Sequence, residues 1–329
     1  MDLTTITIVG AGTMGANIAL NLAAHGLAVR LTDVSAEQLT QARATVRTNA
    51  LFLQEHGLLA KPAEEILPHV VYELGLGRAL AESQLVIEAV TESLPLKQGL
   101  FEELDRRCAS DVIFASNTST FLPTALAVPF TGGERTRRFM ILHYWNPAHL
   151  VPLVEIVPHP AVDAEVLANV KRLLERCGKH PVVLRKAVPG FIGNRLAFAL
   201  QREAMELVSQ GVASPEEIDT VVRAGFGRRI PITGIFGTAD LGGLDIYLAI
   251  CKTLFPELST RTTVPLELER LVEEGKLGVK SGEGWHSYTT EQKVDLRESL
   301  AKELVRRAEL DRPLASIELP PKTSRFPRI

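Results

Sequence analysis

Apolar positions follow two alternating rhythms over residues 1–187 and a single rhythm beyond them. The run Ile6, Ile8, Val9 predicts a buried strand, and Ile18, Leu20, Leu22 and Ala23 predict a helix that Gly26 ends. A second short strand, Ala28 to Thr32, closes at Asp33, and a helix follows from Ala36 to about Gln54. Gly57, Pro62, Pro68, Gly75 and Gly77 then break the pattern. They predict an insertion over about 36–80 that projects as a helical hairpin between the second and third strands. Strand patterns resume at 84–91 (QLVIEAVT), Val112–Ala115, Phe139–His143, Leu153–Val157 and Pro181–Leu184, with a helix marked by Pro95, Leu96, Leu100, Phe101 and Leu104.

Strands alternating with helices mean a largely parallel, doubly wound sheet. The strands carrying His143 and Glu155 are joined by a short proline-containing link and are expected to run antiparallel. From Lys186 to Gly190 the strand signals fade, and helix-period patterns cover Phe191–Ser209, Pro215–Ala224, Leu241–Leu254, Leu266–Glu274 and Glu291–Glu309. The expected class is α/β with an all-helical second part: one domain over 1–187, a helical domain over 188–311, and an extended tail over 312–329.

Between the first strand and the first helix stands Gly10-x-Gly12-x-x-Gly15. Gly10 makes the tight turn, Gly12 lets a backbone approach a pyrophosphate, and Gly15 permits close helix–strand packing. Thr13 and Met14 lie inside the turn, where free N–H groups at the helix N-terminus face phosphates. Asp33 stands where a carboxylate accepts hydrogen bonds from an adenosine ribose. Neither Val34 nor Ser35 offers a cation for a 2′-phosphate, which favours NAD over NADP. The alternative is a glycine-rich βα turn without a ligand. Ala89, near the end of the third strand pattern, and Asn117, just past the next, are the remaining candidates for the nucleotide set.

Composition narrows the class without changing it. The chain has 329 residues, 46 % apolar and 23 % charged, with a net charge of −3, which leaves no electrostatic footprint for nucleic acid. Cys108, Cys177 and Cys251 are too few and too far apart for a disulfide framework or a zinc cluster, so no metal is expected. That usage fits a reducing cytosol. Neither an export signal nor a bilayer-spanning run stands out, and a cytoplasmic protein is expected.

Four polar features fall at strand ends, where open α/β sheets bind ligands. Ser116-Asn117-Thr118-Ser119-Thr120 offers hydroxyls and amides for a substrate oxygen, or caps for a helix before Leu122. His143, in HYWNP with Asn146, suits the removal of a hydroxyl proton near neutral pH, although a strand-end histidine is also a common structural residue. Glu155 sits in LVEIV and needs a partner if buried, either His143 or an arginine such as Arg137 or Arg138. Asn194, in GFIGNR, reaches toward a ligand or merely ends the turn.

Together these segments resemble the 3-hydroxyacyl-CoA dehydrogenase family, from about Ile6 to Tyr288. The resemblance is carried by SNTS, HYWNP, LVEIV, PGFIGNR and the KSGEG-Trp285 segment. It implies an NAD-dependent oxidoreductase of fatty acid metabolism that acts as a homodimer through its helical domain. It implies that His143 is the general base and that Glu155 orients it and balances its charge. Ser119 and Asn194 would bind substrate oxygens, and the hydride would pass to the nicotinamide between the domains. Glu92, Lys97 and Asn146 match positions near the nicotinamide and its ribose, and Gln38 one near the adenosine. On composition alone Lys97 and Gln38 read as solvated helix residues.

Departures bear on the substrate. Common acyl-CoA enzymes resemble HFFNPxPxMKLVE, whereas this chain has HYWNPAHLVPLVE, with His149 and Pro152 at the proline and lysine positions. The segment from Arg43 to Lys61 is poor in cations for CoA phosphates, and a usual glycine–proline appears as Gly234-Ile235. Arg228 and Arg229 are candidates to face a substrate carboxylate, with solvation as the alternative. WNPAHLVPLVEIVPHP is similar to relatives acting on free molecules: carnitine dehydrogenase, gulonate 3-dehydrogenase with the lambda-crystallins, and the dehydrogenase of pyridine-ring vitamin B6 catabolism. GLDIY, LSTR and KSGEGWHSYTTEQ are similar to the last of these. A 3-hydroxyacyl-CoA is the leading expectation, a free hydroxy compound the alternative, and an NAD-binding crystallin without turnover the third.

Overall fold

A computed structural model describes residues 3–130 and 132–314. The chain divides into two compact units, one formed by the residues up to Gly193 with those from Ala301 on, the other by Asn194–Leu300.

The first unit is built on one eight-stranded sheet of order β3-β2-β1-β4-β5-β6-β7-β8. Its strands are β1 (Thr5–Val9), β2 (Ala28–Asp33), β3 (Val70–Leu74), β4 (Leu85–Glu88), β5 (Ile113–Ser116), β6 (Phe139–Tyr144), β7 (Leu153–Pro158) and β8 (His180–Val183). Every pairing is parallel except β6 with β7, which is antiparallel as its short link requires. Strands β4, β5 and β6 are buried along their whole length, which explains their unbroken apolar runs. Helices α1 (Thr13–Ala24) and α2 (Ala36–Glu55) share one core cluster with β1 and β2. Helix α3 (Leu94–Arg107) packs on the other face, where Phe101, Phe114, Phe130 and Phe139 interlock edge to face and stacked. Helix α4 (Ala164–Arg176) connects β7 to β8.

Two sequence expectations fail in this unit. No helical hairpin projects over 36–80. Instead α2 lays Leu39, Ala42, Val46, Ala50 and Leu53 into the core, and only short pieces follow it: the four-residue helices Ala63–Ile66 and Leu76–Ala79 and a 3-10 turn at Leu67–His69. The breakers beyond it conceal β3, an edge strand with a half-exposed pattern that pairs with β2 from Val29↔Val70 to Asp33↔Leu74.

The second unit is helical: α5 (Gly193–Ser209), α6 (Pro215–Ala224), α7 (Ile230–Gly242), α8 (Leu244–Leu254), α9 (Leu266–Glu273) and the first part of α10 (Thr290–Leu314). Ser214 and Glu217 close a reciprocal capping box on α6. Helix α7 is the element the periodicity misses. Its Gly234 has φ +66 and kinks it, and further glycines dilute its apolar face. Large apolar side chains stand exposed on this unit, among them Phe236, Ile232 and Leu241. The second part of α10 belongs to the first unit, where Val305 joins the core cluster. The extended tail expected from Arg312 is helical to Leu314 and beyond that lies outside the described residues. Among the described residues no single helix is long and apolar enough to cross a membrane.

Candidate active site

Strand order reverses between β1 and β4, and the C-terminal ends of these strands open a crevice there. A cavity of about 810 Å³ lies at that point, lined among others by Gly10, Gly12, Asp33, Gln38 and Ala89. Each glycine has its own constraint. Gly10 has φ +107, and a Cβ there would meet Ala89 O at 2.5 Å; one at Gly15 would lie 1.9 Å from Gly10 O. A Cβ on Gly12 would meet nothing within 4 Å, so it is open space that glycine keeps clear. Thr13 and Met14 form the first turn of α1, whose N-cap Gly12 leaves the leading N–H groups without a side-chain acceptor. Asp33 ties the turn down: its Oδ2 accepts from Ala11 N at 2.8 Å and its Oδ1 from Ser35 N at 3.0 Å. Gln38 is half-buried and donates to Ala11 O at 3.0 Å, so it is not the solvated residue its composition suggests. Backbone proximity at Gly12, open N–H groups and an acid at the second strand's end fit an NAD dinucleotide.

Beside β4 lies a polar network that the sequence reading largely missed. Lys97 is buried, against expectation, and its Nζ reaches Glu88 Oε1 at 2.5 Å, Glu92 Oε2 at 3.2 Å and Val90 O at 3.2 Å. Burial drives the Glu88 carboxyl upward, opposed by Lys97, Ser116 and the Val90 N–H. Glu92 is also pushed up by partial burial, but donors from Thr118, Thr120 and Lys97 prevail and hold it below the usual carboxylate range. The one available signal was Glu88 itself, a charge inside an apolar strand run.

The 116–120 segment is not a helix cap, since the helix at Pro123–Leu126 is preceded by Leu122 without a side-chain cap. Its hydroxyls turn to the glutamates instead: Ser116 Oγ donates to Glu88, and Thr118 and Thr120 donate to Glu92. Ser119 is half-buried, with its N–H on Glu92 Oε1 at 3.1 Å. Asn117 Oδ1 accepts from Tyr144 N at 3.0 Å and so braces the end of β6.

His143 and Glu155 are register partners across β6 and β7. Both are buried, and Nδ1 of the histidine lies 2.8 Å from Oε2 of the glutamate. The arginine alternative falls away for Arg137, which pairs with Asp163. Glu155 Oε2 also accepts from Trp145 Nε1 at 3.3 Å, and Oε1 accepts from Ile192 N at 2.8 Å and Gly193 N at 3.0 Å. Burial alone would raise this carboxyl. The donors from His143, Gly193, Ile192 and Trp145 outweigh it and hold the group ionised. The Phe191 ring lies 5.3 Å from the imidazole, tilted 60° to it, and Phe191 has φ +53, a strained conformation for a bulky residue that complete burial maintains.

Asn146 is exposed on the link between β6 and β7. Lys179, unnoticed in the sequence, braces that link through Ala148 O at 2.5 Å and Val151 O at 3.0 Å. Burial pulls its ammonium down to about 8. His149 is pulled down to about 4, chiefly by burial and also by Lys179. Asn194 is the second residue of α5 and the first of the second unit.

Comparison with known proteins shows the family. The model of the 3-hydroxyacyl-CoA dehydrogenase NAD binding domain matches residues 5–188, and that of the family's C-terminal domain matches 190–288. The 5-formyl-3-hydroxy-2-methylpyridine 4-carboxylate 5-dehydrogenase of Mesorhizobium japonicum is 36 % identical over 301 residues, 91 % of this chain and 96 % of that one. A probable 3-hydroxybutyryl-CoA dehydrogenase of Bacillus subtilis is 34 % identical over 292 residues, 88 % of this chain and 98 % of that one. A crystal structure of a 5-dehydrogenase of the same pyridine carboxylate, described as an NAD+ dependent dismutase, superposes with a TM-score of 0.87 at 33 % identity, over 96 % of this chain and 100 % of that one.

Proposed function

The chain belongs to the 3-hydroxyacyl-CoA dehydrogenase family, and from that premise we propose that it oxidises a CH–OH carbon with His143 as general base. Its first unit carries the family's NAD-binding Rossmann domain. NAD, when bound, accepts the hydride at its nicotinamide. The hydroxyl proton must then go elsewhere. Glu155 engages Nδ1 of His143, which leaves Nε2 as the acceptor. The charge that forms on the ring is balanced by a carboxylate kept ionised by surrounding N–H donors. That four-donor cage on Glu155 is the observation that carries the proposal.

Ser119 and Asn194 hold the substrate oxygens in this reading. Gly10, Gly12, Thr13, Met14, Gly15, Asp33, Gln38, Ala89, Asn117 and Asn146 serve the nucleotide. Lys97 acts through Glu92, since its buried ammonium is spent on Glu88 and Glu92.

For the substrate we favour a free, carboxylate-bearing small molecule over a CoA thioester. The near full-length match to a pyridine carboxylate dehydrogenase supports this. So does the charge on α2: Arg43 is stacked over Tyr72 at 4.3 Å, and Arg47 is the helix's one other cation. CoA phosphates would find little there. The acyl-CoA reading stays as the second one, on the strength of the 3-hydroxybutyryl-CoA relative. The exposed apolar side chains of the second unit support a homodimer.

The test is NADH formation with formyl- and hydroxymethylpyridine carboxylates, carnitine, gulonate and 3-hydroxyacyl-CoAs. Turnover confined to the CoA thioesters would reverse the substrate preference. NAD binding without turnover of any of them would leave a binding protein.

A further inference from the structure

Trp145 follows the base by two residues and touches the same acid. Its indole N–H points at Glu155 Oε2, the same oxygen that faces His143. The indole also rests on the backbone that supplies Glu155 with its remaining donors: a Cβ on Gly193 would lie 2.3 Å from Cζ2 of the ring. The ring is therefore seated on a residue that has no side chain, and the indole, the Gly193 backbone and the carboxylate form one packed unit.

We infer that Trp145 is a positioning residue of the acid–base pair, tethering Glu155 and dividing the charge of Oε2 between the indole and the imidazole. This rests on His143 being the base. A neutral donor on a carboxylate oxygen reduces the negative charge that oxygen presents to its other partner. Without the indole N–H, Oε2 serves the imidazole alone and stabilises its protonated form more strongly. The base is then lost at higher pH. The Gly193 contact makes the tether geometric as well as electrostatic, because anything that lifts the ring also lifts the N–H.

The experiment has a kinetic arm and a spectroscopic arm. Trp145→Phe keeps an aromatic ring and removes the donor. The acidic limb of its kcat/KM profile is expected to move up by about half a pH unit, with KM for NAD unchanged. Gly193→Ala, which pushes the ring away, is expected to shift the limb in the same direction, and the double variant no further than Trp145→Phe. An unmoved limb, or additive shifts, would overturn the inference. The second arm needs neither turnover nor the Trp145 variant. In a Trp285→Phe background one indole N–H signal remains. Adding Glu155→Ala is expected to move that signal upfield, and an unchanged signal overturns the tether. Absence of turnover with every substrate would count against His143 as base, while the indole signal would still decide the tether.

Discussion

His143 and Glu155 sit directly opposite each other on β6 and β7, and their side chains close to 2.8 Å between Nδ1 and Oε2. Antiparallel register alone brings them together. Residues so paired project from the same face of the sheet, so two strands and one short link fix the geometry of the pair. Replacing His143 with Gln keeps the shape of the pocket and removes the proton acceptor. Turnover is expected to fall ~10²–10⁴-fold with NAD affinity nearly intact. Steady-state kinetics beside a fluorescence titration with NADH checks this, and near-normal turnover would refute the assignment.

Asp33 already accepts two backbone N–H groups, and its remaining lone pairs are left for a ribose. Asp33→Ser removes the charge that repels a 2′-phosphate. The ratio of kcat/KM for NAD over NADP is expected to fall roughly tenfold or more. An unchanged ratio would mean that another group discriminates between the two nucleotides.

Gly12 and Gly15 separate binding from folding. A methyl group on Gly12 meets no protein atom within 4 Å, whereas one on Gly15 would overlap the backbone of Gly10. Gly12→Ala is therefore expected to leave Tm unchanged while weakening NAD. Gly15→Ala is expected to cost about 1–3 kcal/mol of stability and to lower Tm with or without nucleotide. Calorimetry on both variants decides, and equal losses of Tm would contradict the distinction.

Lys179 gives the protein a pH signature on the alkaline side. Its ammonium is held near 8 when folded, chiefly by burial, against an ordinary 10.5. Between those values the unfolded chain binds the extra proton, so stability rises as pH climbs from about 8 toward 10.5. The rise should be on the order of 2 kcal/mol, and Lys179→Met should flatten it. Urea unfolding at three alkaline pH values would show whether it exists; parallel curves for the two proteins would rule it out.

Periodicity and motif spacing carried the sheet a long way. Strands buried on both faces write themselves as nearly unbroken apolar runs, so β4, β5 and β6 were plain, and Ile6, Ile8 and Val9 marked β1. The turn at Gly10 and His143 were plain as well, because each sits at the end of such a run, and Glu155 stood out as a charge inside one. Elements with mixed surroundings were hidden. Strand β3 is an edge with one face half open, and α7 is kinked at Gly234, so neither presents a regular stripe. Lys97 and Lys179 were invisible for a different reason. A buried lysine is recognised by its partners, and Glu88 and the carbonyls of Ala148 and Val151 are brought to it only by the tertiary fold. Trp145 belongs with them, since its role depends on Gly193, 48 positions further along the sequence.

Helix α10 carries Val305 back into the core beneath the sheet, with Leu304 packed beside it. The nucleotide-binding half of this protein is thus encoded in two separated stretches. Severing the chain after Gly193 would strip that half of its closing piece and leave an apolar socket open to water. Anyone wishing to graft this half onto another catalytic partner would have to splice in the terminal helix too.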